Sequence, residues 1–164
     1  MQRRTLNLKT GQAVLQEIEK LQKIGYQKVG NWNLSQTCDH LYKTMRVGLD
    51  GSVKPFPWIL RATIGNLLLA YVLRKERMFA GAKTLKCLLP EAQTSGTDED
   101  DNDLQIIQNL SETIQEAIER TEQLPPYPWT TNITLDKWKQ LMWIHASHHL
   151  SFLLPNESND TPVS

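Results

Sequence analysis

Three of the four histidines in this chain fall within Trp143-Ile144-His145-Ala146-Ser147-His148-His149-Leu150. The fourth, His40, lies far upstream in Trp32-Asn33-Leu34-Ser35-Gln36-Thr37-Cys38-Asp39-His40-Leu41, a stretch with helical character. Residues four apart on a helix share a face, so His145 and His149 can close on one ion while His40 approaches from a facing helix. Neutral imidazole is a good ligand for divalent zinc, nickel or iron. Three such ligands leave positions open for water or substrate, as a catalytic site requires. A lone histidine on an apolar helix face is usually a hydrogen-bonded core residue. A pair on the core stripe, joined by His40 from another core-bordering helix, reads instead as a metal site, because polar groups on a buried seam cost stability unless something pairs with them. His148 is three residues from His145, so a His145–His148 pair is also open; otherwise it donates a hydrogen bond to a ligand from behind, shuttles protons or lies at the surface. Gln36 and Thr44, one turn either side of His40, could orient water or substrate, or be neutral boundary residues.

The elements that must carry these residues are helices. Thr10 can cap a first helix with Val14, Ile18 and Leu21 at three- to four-residue spacing, ending near Gly25. Asn33 or Ser35 opens a second, with Leu34, Cys38, Leu41 and Met45 on one stripe and Thr37, His40, Thr44 and Val47 on the next. Asp50-Gly51-Ser52 and the prolines at 55 and 57 break the chain. From Trp58 to Arg77 the pattern is helical again, and Leu67 to Leu73 is apolar almost all round. That predicts a central buried helix, with a homodimer face as the alternative. The stretch is too short, and too closely flanked by Arg61 and Arg74-Lys75, to span a membrane.

Residues 79 to 103 look like a long connection. Its end, Thr97-Asp98-Glu99-Asp100-Asp101-Asn102-Asp103, could be a cation site but reads better as a solvated loop tip whose last carboxylates favour the next helix N-terminus. That helix carries Leu104, Ile107, Leu110, Ile114 and Ile118; Leu124 to Trp129 is a stiff proline-rich connector. Thr134 caps the last helix, Asp136 sits in its first turn, and Trp138, Met142, His145, His149 and Phe152 form its seam, with Pro155 ending it. Residues 156 to 164 read as a disordered tail. No stretch has useful strand alternation. The expectation is an all-α domain over 1–155: an up-down four-helix bundle with one long loop or crossover.

Composition narrows the partners. The 164 residues suffice for one domain with a core of its own, and 18 basic against 18 acidic side chains leave no field that favours nucleic acid. A small molecule is the better partner. Cys38 and Cys87 form no CxxC and no disulfide framework, and Met1-Gln2-Arg3-Arg4 precedes no apolar export segment, so a cytoplasmic setting is expected. On a helix Cys38 and His40 diverge, which makes Cys38 core rather than a nucleophile. No nucleophile elbow, P-loop, dinucleotide fingerprint or HExxH is present.

The pattern Arg3-Arg4-x-Leu6, then Gly30-Asn31-Trp32 through His40, then Trp138-x-x-Leu141-x-x-x-His145-x-x-His148-His149-Leu150, resembles the DinB/YfiT-like superfamily of metal-dependent bundles. It is most similar to a branch of that superfamily defined by a domain of unknown function. The resemblance covers nearly the whole chain and implies a four-helix bundle whose metal ligands are His40, His145 and His149. Characterised members include thiol-dependent S-transferases and a maleylpyruvate isomerase, which implies a metal-dependent enzyme acting on a small electrophile with a low-molecular-weight thiol as cofactor. A metal-bound thiol is deprotonated at neutral pH. The alternative is a non-enzymatic bundle that binds metal or ligand, or a dimeric interaction module. The chain departs from its branch before the last helix, where Tyr127-Pro128-Trp129-Thr130 replaces a His-Pro and Phe-Gly pattern, so any role of that extra histidine is missing here.

Overall fold

A computed structural model describes residues 2–78, 85–90 and 99–156, with the side chains of 99–101 left out. The predicted tail beyond 156, most of the 79–103 connection and the start of the acidic run lie outside the described residues. The protein is mainly helical. Thr10 caps α1 (Gly11–Ile24), its hydroxyl accepting from the Ala13 amide at 3.2 Å, and Gly25 follows the last turn with φ +74°. Asn33 and Gln36 form a reciprocal capping box at the start of α2 (Leu34–Asp50). Gly51 ends that helix in the left-handed region at φ +65°, which favours glycine. The next helical stretch comprises α3 (Trp58–Leu60), a π-helical turn over Arg61–Gly65 and α4 (Asn66–Lys75). A short 3₁₀ turn covers Lys86–Leu88, and then come α5 (Glu99–Glu119) and α6 (Leu135–Leu150), the latter capped by Thr134.

The core lies among α1, α2, α5 and α6: α2 packs on α5 and α6, α1 packs on both as well, and α4 rests on α6. Val14, Ile18, Leu21, Cys38, Leu110, Ile114, Trp138 and Leu150 are essentially inaccessible. The periodic stripes therefore point where the spacing predicts, apart from Leu104, which is exposed at 57%. Burial also pushes the Cys38 thiol far up, as befits an inert core residue.

Four expectations are corrected. Tyr26–Lys28 (β1) and Leu153–Pro155 (β2) pair antiparallel, a ribbon too short to show any alternation. Accordingly α6 stops at Leu150 rather than at Pro155, and Phe152 sits in the turn after the helix instead of on its seam. The acidic run is not all loop, because α5 already begins at Glu99. The stretch from Trp58 onward is not a buried central helix: Trp58, Ile59, Ile64 and Leu67 are 57–74% exposed, and only Leu69 and Val72 of α4 are buried.

The N-terminal arginines strap this scaffold to the end of α6. Arg4 forms an ion pair with Glu17 and reaches the Leu150 carbonyl at 3.3 Å, while its backbone amide donates to Ser151. The Leu8 amide donates to the Ser147 hydroxyl at 2.8 Å. These bonds hold the helix turn that carries His148 and His149.

Candidate metal centre

Helices α2 and α6 bring His40, His145 and His149 together, with one ring nitrogen from each lying within 4.8 Å of the others. His145 Nε2 is 3.2 Å from His40 Nε2 and 2.9 Å from His149 Nε2. The three rings meet edge-on, at interplanar angles of 68–83°. His40 and His145 are buried and His149 is half-buried.

The tautomer of His40 is set by its surroundings. Its Nδ1 lies 2.7 Å from the Leu88 carbonyl, an oxygen that can only accept, so Nδ1 carries the proton and Nε2 offers a lone pair to the cluster. A second bond steadies the same segment, since Lys43 pairs with Asp39 at 2.8 Å and reaches the Leu89 carbonyl at 3.3 Å. Metal-binding histidines typically have such a carbonyl behind the ring.

That tautomer leaves the cluster poorly satisfied as three neutral imidazoles. With a lone pair on His40 Nε2, His145 Nε2 must be protonated to satisfy it, and that single N–H is then either divided between His40 and a second lone pair on His149 or opposed by an N–H from His149. If His149 donates instead, His145 and His40 confront one another with two lone pairs. A shared cation satisfies all three nitrogens. Tetrahedral zinc with Zn–N bonds of about 2.0–2.1 Å separates its ligand nitrogens by about 3.3 Å, close to the spacings found here. The donor set therefore fits an ion.

The electrostatics agree. Burial, partly offset by the Leu88 bond and nearby Asp39, lowers the pKa of His40. Burial, then the neighbouring His40 and His148, hold His145 well below the ordinary imidazole range. Burial, followed by His145, His40 and His148, does the same for His149. All three rings are thus neutral near pH 7 and able to ligate.

The remaining predicted site residues separate. The His148 Nδ1 is 3.1 Å from the Arg3 guanidinium, and its ring is edge-on to those of His149 and Phe152, so it borders the trio without joining it. Burial, then Arg3 and His40, lower its pKa to about 4. Thr44 lines the adjoining cavity and donates its hydroxyl to the His40 carbonyl at 2.8 Å, one turn back along α2. The Gln36 side chain oxygen accepts from the Asn33 amide, which makes it a helix cap rather than a group aimed at the site.

Two groups near the trio were not picked out from the sequence. Trp32 stacks on His149 at 5.2 Å and 21°, and tilts against His40 at 4.9 Å. The Leu88 carbonyl is main chain and has no side-chain signature; Trp32, by contrast, sits inside the motif that contains His40. The trio opens onto a cavity of about 760 Å³ lined by Leu60, Ile64, Leu68, Leu69, Val72, Trp129 and Met142 among others. Tyr127, Trp129 and Thr130, which stand in the segment that departs from the expected pattern, also line it.

Fold and site together define a mainly helical protein whose clustered histidines could hold a metal ion beside an apolar cavity. The chain belongs to the family described as protein of unknown function (DUF1569), whose model matches residues 1–156. No curated protein and no solved structure matches it significantly.

Proposed function

We propose that the protein is a metal-dependent enzyme of the DinB-like kind, in which His40, His145 and His149 bind a divalent zinc, nickel or iron ion through Nε2. The packing of α1, α2, α5 and α6 about a shared core agrees with the four-helix bundle that this reading requires. The observation that carries it is the Leu88 bond to His40, which turns a lone pair toward two other imidazoles, a set that a cation satisfies better than one N–H divided between two acceptors. Such an ion supplies Lewis acidity and lowers the pKa of a coordinated thiol. The reaction class we assign is transfer of a low-molecular-weight thiol to or from a small electrophile. The chain's own residues keep the three rings neutral by burial, hold Trp32 against two of them, and line the approach with apolar side chains that exclude water.

Metal quantification on untagged protein and four single alanine variants tests the site. His40→Ala, His145→Ala and His149→Ala should each lose most of the ion, whereas His148→Ala should keep it. Loss in His148→Ala with retention in His149→Ala would overturn the assignment, as would wild-type protein that takes up none of the three metals. Consumption of a monothiol by a small electrophile, present in the loaded wild type and absent in His145→Ala, tests the reaction; equal rates in both refute it.

A further inference from the structure

We propose that the cavity beside the trio takes an elongated apolar molecule ending in a carboxylate or similar planar oxyanion, and that Arg61 clamps this charged end. That the cavity is a substrate site rests on the metal-centre reading above; the clamp is tested independently of it.

The cavity's size is typical of small-molecule sites, and its wall is apolar over most of its extent. Histidines aside, Arg61 is the one ionisable Asp, Glu, Lys or Arg side chain among its described lining residues. A guanidinium is charged at all accessible pH values and presents five donors in a planar fork. Here that fork is poorly used. Among the described residues Arg61 has no ion pair, its Nε is buried without a hydrogen-bond partner, and one Nη reaches the Thr130 carbonyl only at 3.5 Å. A partly desolvated cation with free donors is costly to keep in apolar surroundings, and a bidentate oxyanion is the chemistry that satisfies it.

The mount of Arg61 is stiff. It opens the π-helical turn, a local irregularity often found at functional sites. Gly65, at the other end of that turn, lies so close to the Trp129 carbonyl that an added Cβ would sit 1.9 Å from the oxygen. Asn66 next to it accepts from the Thr131 and Asn132 amides at 3.1 and 3.0 Å and from the Thr130 hydroxyl. The turn is therefore fastened to the loop before α6, the helix that supplies His145 and His149. A fastened backbone turn fixes where the Arg61 side chain starts, so less freedom is lost when an anion binds.

Calorimetric titration with octanoate and with 1-octanol, an uncharged molecule of equal chain length, provides the test, run on chelator-treated protein so that no ion can hold the carboxylate. Octanoate should bind at least about tenfold more tightly than 1-octanol, the difference being one charge-assisted bidentate contact. Arg61→Met should abolish that preference while leaving 1-octanol affinity within about twofold, and Arg61→Lys should keep part of it. Equal binding of the two ligands by wild-type protein overturns the proposal whether or not any variant folds. An octanoate preference that persists in Arg61→Met, or that appears only after metal is added, also overturns it. Protein that holds no metal yet prefers octanoate sinks the metal reading alone; protein that holds metal but shows no charge preference sinks the clamp alone.

Discussion

Taking the metal-free protein from pH 7 to pH 5 should lower its unfolding free energy by about 6 kcal/mol, chiefly through three rings. His145 is held neutral in the fold by burial and by the neighbouring His40 and His148, His149 by burial and the same cluster, and His148, its pKa lowered to about 4, by burial, Arg3 and His40. In the unfolded chain each titrates near its ordinary value of about 6.5. Below that pH the unfolded state binds protons that the folded state refuses. Stability is therefore lost as pH falls through the unfolded pKa, and the loss continues until the depressed folded pKa is reached. Each ring that stays neutral forfeits about 2 kcal/mol between pH 7 and 5, and the three together give the stated total. Urea unfolding at pH 7, 6 and 5 in the presence of chelator, followed by tryptophan fluorescence, measures it as a falling midpoint at constant slope. His149→Leu should remove about a third of the pH dependence, since one of the three rings is gone. A metal-free wild type whose stability changes by less than about 1 kcal/mol over this range would refute the argument, because the rings would then be protonating within the fold.

Other consequences follow from the same geometry. Stripping the metal should lower the melting temperature by roughly 5–10 °C while a single cooperative transition remains, because the core among α1, α2, α5 and α6 is apolar in its own right; calorimetry showing no transition in chelator would mean that the ion is structural. Gly65→Ala should destabilise by about 2 kcal/mol despite better helix propensity, since its Cβ meets the Trp129 main-chain oxygen rather than a movable side chain; unchanged urea stability would contradict this. The outer face of α3 and α4, with Trp58, Ile59 and Leu67 exposed, should pair in solution. Light scattering should then give a dimer mass that Leu67→Glu returns to that of a monomer, and a monomeric wild type at high concentration would exclude the pairing.

Helix caps and core stripes were legible because they depend on near neighbours in the chain. Thr10, Asn33 and Thr134 each hold an amide three residues on, and Val14, Ile18, Leu110, Ile114 and Trp138 recur with the helical period. The same period places His145 and His149 on one face, and the chain has only one further imidazole outside that segment to join them. What depends on distant segments was not legible. The β1–β2 ribbon joins three residues to three others across almost the whole chain, and neither strand has a pattern of its own. The apolar run after Trp58 reads alike whether a neighbour covers it or not, and tertiary packing leaves its outer face open. Gln36 is a local exception: one turn from His40, it turns back to Asn33 three residues away and caps its own helix. Residue types and local spacing determined which side chains could ligate. Which nitrogen His40 presents, and whether a charge lines the same cavity, was decided by a carbonyl at Leu88 and a guanidinium at Arg61, because hydrogen-bond direction and desolvation exist only once the segments have met.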